Sequence, residues 1–313
     1  MKWVLSVSLG DPSRDHRVET EMLGERVVVE RRGTGGDLRA AVRLIRAHDG
    51  AVSAFGLGGV NLHYIVGDRK YRMPDGWRLR EAAEISPVAD GAMVKRHIEP
   101  RIIDALAENG VQLRGSRAAI SSALDRWHLA TALESAGCRV LVCDAASALR
   151  LPVVFDGTST FARAARAAMP WLRFLPVRLI YPGRTARATG PRPAPWPARR
   201  IGAAGRAFAG ADIIAGDTHL MWSALPADLA GKVVIVSTAT ESEIRELKAR
   251  GAALVAGTCP SLGGRSFGAN VTEALIAAFD GRPPEDIPAA CYVEWWNRLG
   301  LRFRLEKSAG TIQ

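Results

Sequence analysis

The sequence predicts an α/β protein with two domains, and three observations support this fold class. With 313 residues, the chain is long enough to bury two hydrophobic cores. Hydrophobic residues make up 48% of the chain and charged residues 24%, which is an ordinary balance for a globular protein. From about residue 113, short apolar segments alternate with segments of helical periodicity, a pattern typical of parallel strands joined by right-handed crossovers. We expect one domain at 1–112, a second with a mostly parallel sheet at 113–282, and a C-terminal tail at 283–313.

The first domain is expected to mix strands and helices. A helix beginning near Asp37 follows a glycine-rich turn, and the dipeptide Gly67-Asp68 favours a tight hairpin turn. The predicted strands cover residues 3–9, 18–32 (a hairpin) and 52–57, and the predicted helices cover residues 37–47, 77–85 and 93–108.

The second domain is expected to repeat strand and helix. Residues 232–237 are strongly apolar, as in a buried strand, and Gly251 ends the helix that follows. The predicted strands cover residues 118–122, 139–143, 212–215, 232–237 and 252–256, and the predicted helices cover residues 126–135, 161–168, 241–250 and 269–279.

Residues 117–144 predict a strand, a turn, a helix and a second strand ending in an acid, as in Rossmann-like folds that bind dinucleotides. In such folds the acid after the second strand binds the ribose hydroxyls, and Asp144 fits this role. Ser121 and Ser122 are expected to line the phosphate turn. The turn contains no glycine, however, and Asp125 is expected to cap the following helix and to repel an anion. A Rossmann-like domain that binds no nucleotide at this turn is therefore an equal alternative.

Positive charge is concentrated in one segment of the chain. The net charge is +10, and the sequence contains 36 Arg but 6 Lys. Residues 157–211 contain ten Arg and neither Asp nor Glu. This Arg-rich insertion is expected to be a lid over an anionic ligand, a docking surface for an acidic protein or a membrane, or a solvated linker. Nucleic acid is a weaker alternative, because no nucleic-acid-binding motif accompanies the charge.

Cysteine and histidine spacing gives little support to a metal site. The cysteines show no C-x-x-C pair, so buried free thiols are expected, and the six histidines are scattered without a ligand spacing. No apolar run approaches the length of a membrane-spanning helix, and the apolar start is interrupted too early for a signal peptide. We therefore expect no bound metal and a cytoplasmic protein.

Candidate catalytic residues lie in loops after predicted strands, where open parallel sheets bind their ligands. Asp217 and His219 follow one such strand, and the polar segments 11–17 and 56–61 follow two others. Lys95 lies where the chain leaves the first domain. We expect Lys95 and Asp217 to handle the proton of a substrate hydroxyl, with His219 as a further acid or base. The alternatives are a solvated lysine, a turn aspartate and an exposed histidine.

Candidate substrate-binding residues lie in the glycine-rich segment 263–268 and at the start of the helix that follows. Backbone amides at such a helix start, together with Arg265, can bind a carboxylate or phosphate. Ser266 and Asn270 are the other expected substrate-binding residues. The alternative is a flexible connection whose glycines are needed only for the turn.

The chain also contains five stretches with a resemblance to known sequences: SVSLGDPSRDHRVETEMLGE, ERRGTGGDL, AFGLGGVNLHY, ADIIAGD and GRSFGANVTEAL. They resemble a bacterial family of Rossmann-like proteins that is commonly labelled quinate 5-dehydrogenase, and the resemblance spans almost the full chain. Shikimate and quinate dehydrogenases carry an N-V-T-x-P-x-K motif before the nucleotide domain. Here Asn270-Val271-Thr272 lies near the C-terminus and is followed by Glu273-Ala274, without that proline or lysine.

Two functions from different classes remain open. We expect an NAD(P)-dependent oxidoreductase that acts on a hydroxylated anionic small molecule, such as a quinate- or shikimate-like cyclic hydroxy acid, because hydride transfer requires a group that takes the hydroxyl proton. Asp144 favours this hypothesis. The missing glycines favour a non-redox Rossmann-like protein that binds an anionic metabolite, or an acidic partner or membrane surface through the Arg-rich insertion. The sequence leaves open the substrate, the choice of NAD or NADP, and the oligomeric state.

Overall fold

The structure is a computed structural model that describes residues 1–175, 202–262 and 265–308, and the strands in these residues form two open sheets and two short hairpins. One sheet is built from strands within residues 2–89, and the other from strands within residues 117–307. This architecture confirms the predicted α/β class.

The first sheet has parallel strands at its centre and an antiparallel strand at one edge. The strands of this part of the chain are β1 (Lys2–Ser8), β2 (His16–Met22), β3 (Glu25–Gly33), β4 (Ala54–Gly58), β5 (His63–Val66), β6 (Arg69–Arg72) and β7 (Val88–Ala89). The sheet has the order β2-β3-β1-β4-β7, and β5 and β6 form a separate hairpin. Only β2 pairs antiparallel within this sheet. Burial explains the order, because central β1 buries Val4, Leu5 and Val7, whereas edge β2 alternates half-buried and exposed residues.

Four helices accompany these strands: α1 (Leu38–His48), α2 (Pro74–Arg80), α3 (Ala92–His97) and α4 (Ile102–Glu108). Asp37 caps α1, since its carboxylate accepts a hydrogen bond of 2.9 Å from the amide of Ala40. One continuous helix was predicted over residues 93–108, but a 3₁₀ turn at Glu99–Arg101 separates α3 from α4. Pro100 explains the break, because proline lacks the amide hydrogen that a continuing helix needs.

The second sheet has seven strands in a doubly wound order. The strands in this part of the chain are β8 (Arg117–Ile120), β9 (Arg139–Val142), β10 (Phe155–Asp156), β11 (Ile213–Gly216), β12 (Val233–Val236), β13 (Leu254–Gly257), the short hairpin β14 (Ser261–Leu262) and β15 (Arg265–Ser266), and β16 (Arg304–Lys307). The sheet has the order β10-β9-β8-β11-β12-β13-β16, with antiparallel pairing only for β10 and β16 at the edges. The strands β9 and β10 follow β8 on one side of it, and the chain then crosses to β11 on the other side. The point between β8 and β11, where the strand order reverses, is the switch point of a Rossmann-like fold.

Helices cover both faces of the second sheet. The helices that follow are α5 (Trp127–Ser135), α6 (Asp144–Ser147), α7 (Thr158–Leu172), α8 (Ala203–Ala209), α9 (Thr218–Trp222), α10 (Glu241–Ala249), α11 (Ala269–Asp280) and α12 (Ala289–Arg298). Leu133 of α5 packs in the same core as Ile120 on one face, while Phe208 and Leu247 pack with Val234 on the other. All four residues of β12 are buried, as expected for a central strand between two helical layers. Residues 176–201, the centre of the Arg-rich insertion, lie outside the described residues.

The helix α11 returns to the first sheet and packs on β1 and β4. Buried Ile276 shares a core with Val4 and Val29, and α12 contributes to the same core. At its start, α11 approaches Gly91 so closely that a Cβ there would lie 2.7 Å from the amide nitrogen of Asn270. The predicted second domain, 113–282, therefore includes a helix that packs on the first sheet.

The described residues contain no helix that is both long and apolar enough to cross a bilayer. The cysteines are free, and three of the four are buried. Within the same part of the chain, no group of three or more His, Cys, Asp or Glu side chains is arranged to hold a metal ion.

Candidate functional site

A cleft of about 190 Å³ lies where the carboxyl ends of the two sheets face each other. The first sheet contributes the ends of β1 and β4 and the loops after them, and the second contributes the loops after β8, β11 and β12. The start of α11 closes one side. Because ligands bind beyond the carboxyl ends of parallel strands, this cleft is the candidate functional site.

A lysine, an aspartate and an asparagine meet inside the cleft. The Nζ atom of Lys95 donates hydrogen bonds to Oδ1 of Asp125 at 2.8 Å and to Oδ1 of Asn61 at 3.0 Å. The amide nitrogen of Asn61 donates to the same aspartate oxygen at 2.7 Å. The Asp125 side chain is 2% exposed and that of Lys95 is 13% exposed, so the ammonium group retains access to a ligand. Three chain segments build this cluster: α3, the β8–α5 turn and the loop after β4.

The sequence predicted a different role for Asp125, as the cap of α5. That prediction was wrong, because α5 begins at Trp127 and its N-cap position is Arg126, which makes no side-chain capping bond. The Asp125 carboxylate lies against Lys95 and Asn61 instead. The predicted partner of Lys95, Asp217, lines the same cleft, but its carboxylate accepts a hydrogen bond from the amide of His219.

Two buried acids position the helix that carries Lys95. Glu273 Oε2 accepts hydrogen bonds from the amides of Met93 at 2.6 Å and Val94 at 3.1 Å. Oδ1 of Asp90 accepts a hydrogen bond from the amide of Ala92 at 3.0 Å. Burial, together with the negative charge of Asp90, raises the pKa of Glu273 to about 8. The start of α3 is therefore held by carboxylates from its own loop and from α11.

A second ion pair lies next to the first but is sealed. Arg126 donates to Glu99, and the hydroxyl of Thr258 donates to the same Glu99 oxygen at 2.9 Å. The side chains of Arg126 and Glu99 are 5% and 2% exposed. Burial alone lowers the pKa of Arg126, but the charges of Glu99 and Asp125 outweigh it and the net direction is upward. This pair therefore forms a fixed ionic contact between the 3₁₀ turn before α4 and the β8–α5 turn.

The other end of the cleft is basic. Nη1 of Arg14 donates to Nε2 of His219 across the cleft at 2.7 Å, and Arg14 has no carboxylate partner among the described residues. Arg31 donates to Ser8 Oγ at 3.0 Å and to Asp15 Oδ1 at 2.6 Å. Burial and the nearby charge of Arg14 lower the pKa of Arg31. Two guanidinium groups that repel each other in this way form a site suited to an anion.

Asp217 and His219 both line the cleft, as their predicted role requires. Oδ1 of Asp217 accepts from the amides of His219 at 2.9 Å and Leu220 at 3.2 Å, so this carboxylate caps α9. The amide of Asp217 donates to the hydroxyl of Ser122 at 3.0 Å. The hydrogen bonds of Asp217 therefore stabilise the start of α9 and its contact with the β8–α5 turn, while His219 contacts Arg14.

The predicted cofactor residues are occupied by contacts within the protein. Asp144 Oδ2 accepts from the amide of Ala123 at 2.7 Å, and Oδ1 accepts from the amide of Leu124 at 2.8 Å. Ser121 and Ser122 are buried. A dinucleotide would need these turn amides for its pyrophosphate and the Asp144 carboxylate for its ribose. The residues present do not fit that group at this turn, because the carboxylate already lies on the amides.

The predicted substrate-binding residues fall near the basic end of the cleft. Ser266 and Asn270 line it, and the side-chain nitrogen Nδ2 of Asn270 donates to Ser6 Oγ at 3.0 Å. The side chain of Arg265 lies outside what the structure describes. Sequence reasoning singled out the loops that hold Asn61 and Arg14 as polar loops after strands, but it gave neither residue a role.

Comparisons with known proteins give a family but no activity. A family model described as a domain of unknown function, DUF8754, matches residues 93–308, and a second, DUF8753, matches residues 3–90. No curated protein sequence matches the chain.

Three solved structures show distant likeness to the whole chain. The glutamate dehydrogenase of Thermus thermophilus has a TM-score of 0.42 and 11% identity, over 96% of this chain and 74% of that one. A sugar transport substrate-binding protein of Bordetella parapertussis has a TM-score of 0.35 and 10% identity, over 92% and 82%. A shikimate 5-dehydrogenase-like protein has a TM-score of 0.33 and 11% identity, over 96% and 97%.

Proposed function

Because the chain belongs to the DUF8754 family, whose description states no activity, we propose a function from the cleft itself: an enzyme that transfers a proton at a hydroxyl group of a small anionic molecule. The observation that carries the proposal is the cluster of Lys95, Asp125 and Asn61. A buried carboxylate that shares hydrogen bonds with an accessible ammonium group is a typical acid–base arrangement.

The proposed roles follow from the donors and acceptors in the cluster. A substrate hydroxyl that approaches Lys95 gives its proton to the Asp125 carboxylate. The Lys95 ammonium group donates to the substrate oxygen and stabilises the negative charge that develops there. Asn61 holds both partners, because its amide group bonds to each of them. The reverse transfer returns the proton to the substrate oxygen.

The basic end of the cleft supports an anionic substrate. Arg14, which lacks a carboxylate partner among the described residues, is the proposed donor to a substrate carboxylate or phosphate. Asn270 and Ser266, which line the cleft, are the proposed neighbours of that group. A contribution from Arg265 stays a prediction from the sequence. A quinate- or shikimate-like cyclic hydroxy acid matches this combination of hydroxyl and carboxylate.

NAD(P)-dependent oxidation of the hydroxyl is the second candidate function. The doubly wound strand order favours it, since dinucleotides bind at the switch point of such sheets. The occupied β8–α5 turn opposes it, so we derive no step through a nicotinamide cofactor. The alternative role in binding an acidic partner or membrane depends on residues 176–201, which lie outside the described part of the chain, and it stays a prediction.

The test compares hydroxylated acids with matched acids that lack the hydroxyl. Quinate, shikimate and malate, against cyclohexanecarboxylate and succinate, are titrated calorimetrically into the wild type and into Lys95→Met. The wild type should prefer a hydroxylated acid by about tenfold, the effect of one charge-assisted hydrogen bond of about 1.5 kcal/mol. Lys95→Met should lose that preference, whereas the control Lys248→Met, which alters a pair with Glu306 away from the cleft, should keep it.

Two outcomes count against the proposal. Equal affinity of the wild type for acids with and without the hydroxyl would show that the protein does not recognise that group. A preference for hydroxylated acids that persists in Lys95→Met would show that Lys95 does not bind the hydroxyl group. Once a substrate is known, Asp125→Asn should bind it but turn it over far more slowly, because an amide does not accept the proton.

A further inference from the structure

The turn between β8 and α5 has the form of an anion site that already contains an anion. The amides of Ala123 and Leu124 are consecutive, and each donates to a different oxygen of the Asp144 carboxylate. Two adjacent backbone amides that point to one place form the kind of concave site that binds phosphates and carboxylates. In this chain the group at that place is a side chain of the protein.

The burial of Asp144 explains why the amides matter to it. Asp144 is 9% exposed and lies beside the acidic Asp125. Burial and the charge of Asp125 raise the pKa of Asp144 to about 7, although the two amide hydrogen bonds act in the opposite direction. A buried carboxylate without such donors would be strongly unfavourable. The turn amides therefore offset the cost of burying the Asp144 carboxylate, and the carboxylate gives these amides their acceptor.

The remainder of the turn leaves little room for a second anion. Ser122 uses its hydroxyl to accept the amide of Asp217. Ser121 is enclosed by Gly216, where an added Cβ would lie 2.2 Å from the serine hydroxyl oxygen. The carboxylate of Asp125 is a negative neighbour that repels a pyrophosphate. Each residue that could face a phosphate is buried, bonded or of the wrong charge.

We propose that the β8–α5 turn is an intramolecular anion site whose resident ligand is the carboxylate of Asp144. The second sheet keeps the topology of a dinucleotide-binding fold, but its phosphate position is filled by the protein. It follows that no dinucleotide binds at this turn and that Asp144 organises the turn that carries Asp125. This inference is independent of the proposed proton transfer, because either can fail without the other.

Removing the resident carboxylate should create a site for a small external one. Asp144→Ala leaves two buried amides without an acceptor and a space of carboxylate size, so its melting temperature should fall below that of the wild type. Sodium formate should recover most of that loss, with sodium chloride at equal ionic strength as the salt control. The wild type should gain no such stabilisation from formate. A control variant, Asp156→Ala, which removes an exposed carboxylate paired with Arg139, should also not respond.

A second measurement uses the unmodified protein. Calorimetric titration of the wild type with NAD⁺, NADPH and ADP-ribose should give no binding that is lost in a parallel titration of Asp144→Asn. If Asp144→Ala does not fold, Asp144→Asn keeps the volume and one acceptor, and should be destabilised without any response to formate.

Two results overturn the inference. One is binding of a dinucleotide to the wild type that is lost in Asp144→Asn, because Asp144 would then hold a ribose. The other is a folded Asp144→Ala variant that formate does not stabilise, because the turn amides would then not form an anion site.

Discussion

Two ion pairs connect the same segments of the chain but differ in their access to solvent. Lys95 and Glu99, in and just after α3, bond to Asp125 and Arg126, which are consecutive in the β8–α5 turn. Lys95 reaches the cleft with a side chain that is 13% exposed, whereas the arginine of the second pair is 5% exposed. Four residues along the chain therefore separate a pair suited to chemistry from a pair suited to holding the structure.

The difference lies in what surrounds each pair rather than in the residue types. The sealed pair has Thr258 as an additional donor, and although Arg126 borders the cleft, its side chain is only 5% exposed. The open pair has Asn61 as a third partner and faces the cleft. A buried ion pair contributes little net stability while it is intact, but loss of one partner leaves an uncompensated charge. The sealed pair should therefore respond most strongly to mutation.

The largest expected effect comes from Glu99→Ala. It leaves the buried Arg126 guanidinium without its carboxylate, which should lower the free energy of unfolding by about 3–5 kcal/mol. Urea unfolding followed by circular dichroism measures the loss. The control Asp156→Ala, which breaks an exposed pair, should leave the transition unchanged. Equal transitions for the two variants would show that the sealed pair is not a fixed contact.

A smaller loss of stability is expected for Lys95→Met. Asp125 keeps the hydrogen bond from Asn61, so the free energy of unfolding should fall by about 1–3 kcal/mol, the cost of an incompletely paired buried group. The double variant Lys95→Met with Asp125→Leu should recover part of this loss, because it removes the buried charge as well. A loss as large as that of Glu99→Ala would remove the distinction between the two pairs.

The pH dependence of stability tests how α3, which carries the open pair, is held. Burial and Asp90 raise the pKa of Glu273 from 4.5 in the unfolded chain to about 8 in the folded protein. The folded state therefore binds a proton that the unfolded state has lost between these values, so the stability contribution is present below pH 4.5 and is lost as the pH rises toward 8.

Glu273→Gln should remove that slope, which is at most about 1.4 kcal/mol per pH unit for one proton. The measurement is the difference in the free energy of unfolding between wild type and variant across this pH range. A difference that does not change with pH would contradict a raised pKa for Glu273.

The smallest effect on stability is expected for Arg14→Gln, at the basic end of the cleft. Its side chain is exposed and bonds to His219, so the unfolding transition should not change measurably. The affinity for a carboxylate ligand should fall by about tenfold, as expected for loss of one charged hydrogen bond of about 1.5 kcal/mol. Arg17→Gln, in an exposed pair with Glu19, is the matched control and should bind normally.

Local patterns predicted the second sheet and the region of the cleft, because strand and helix periodicity depends on neighbouring residues. The same patterns placed Lys95 near the junction of the two sheets. They did not identify its partner, since an aspartate before a helix is usually a cap and the bond to Lys95 joins residues 30 positions apart. They also assigned Asp144 to a ribose, because the rule for that position takes no account of bonds to the turn amides. In both cases the observed bonds join residues 20 or more positions apart, which local patterns do not register.

The return of α11 to the first sheet has a consequence for synthesis on the ribosome. The strands β1, β3 and β4 leave the ribosome before α11 and α12, which cover one face of their sheet. Domains usually fold in the order in which they are translated. Until α11 and α12 are made, one apolar face of the first sheet is uncovered, so a nascent chain that ends before Ala269 is expected to need a chaperone at that face.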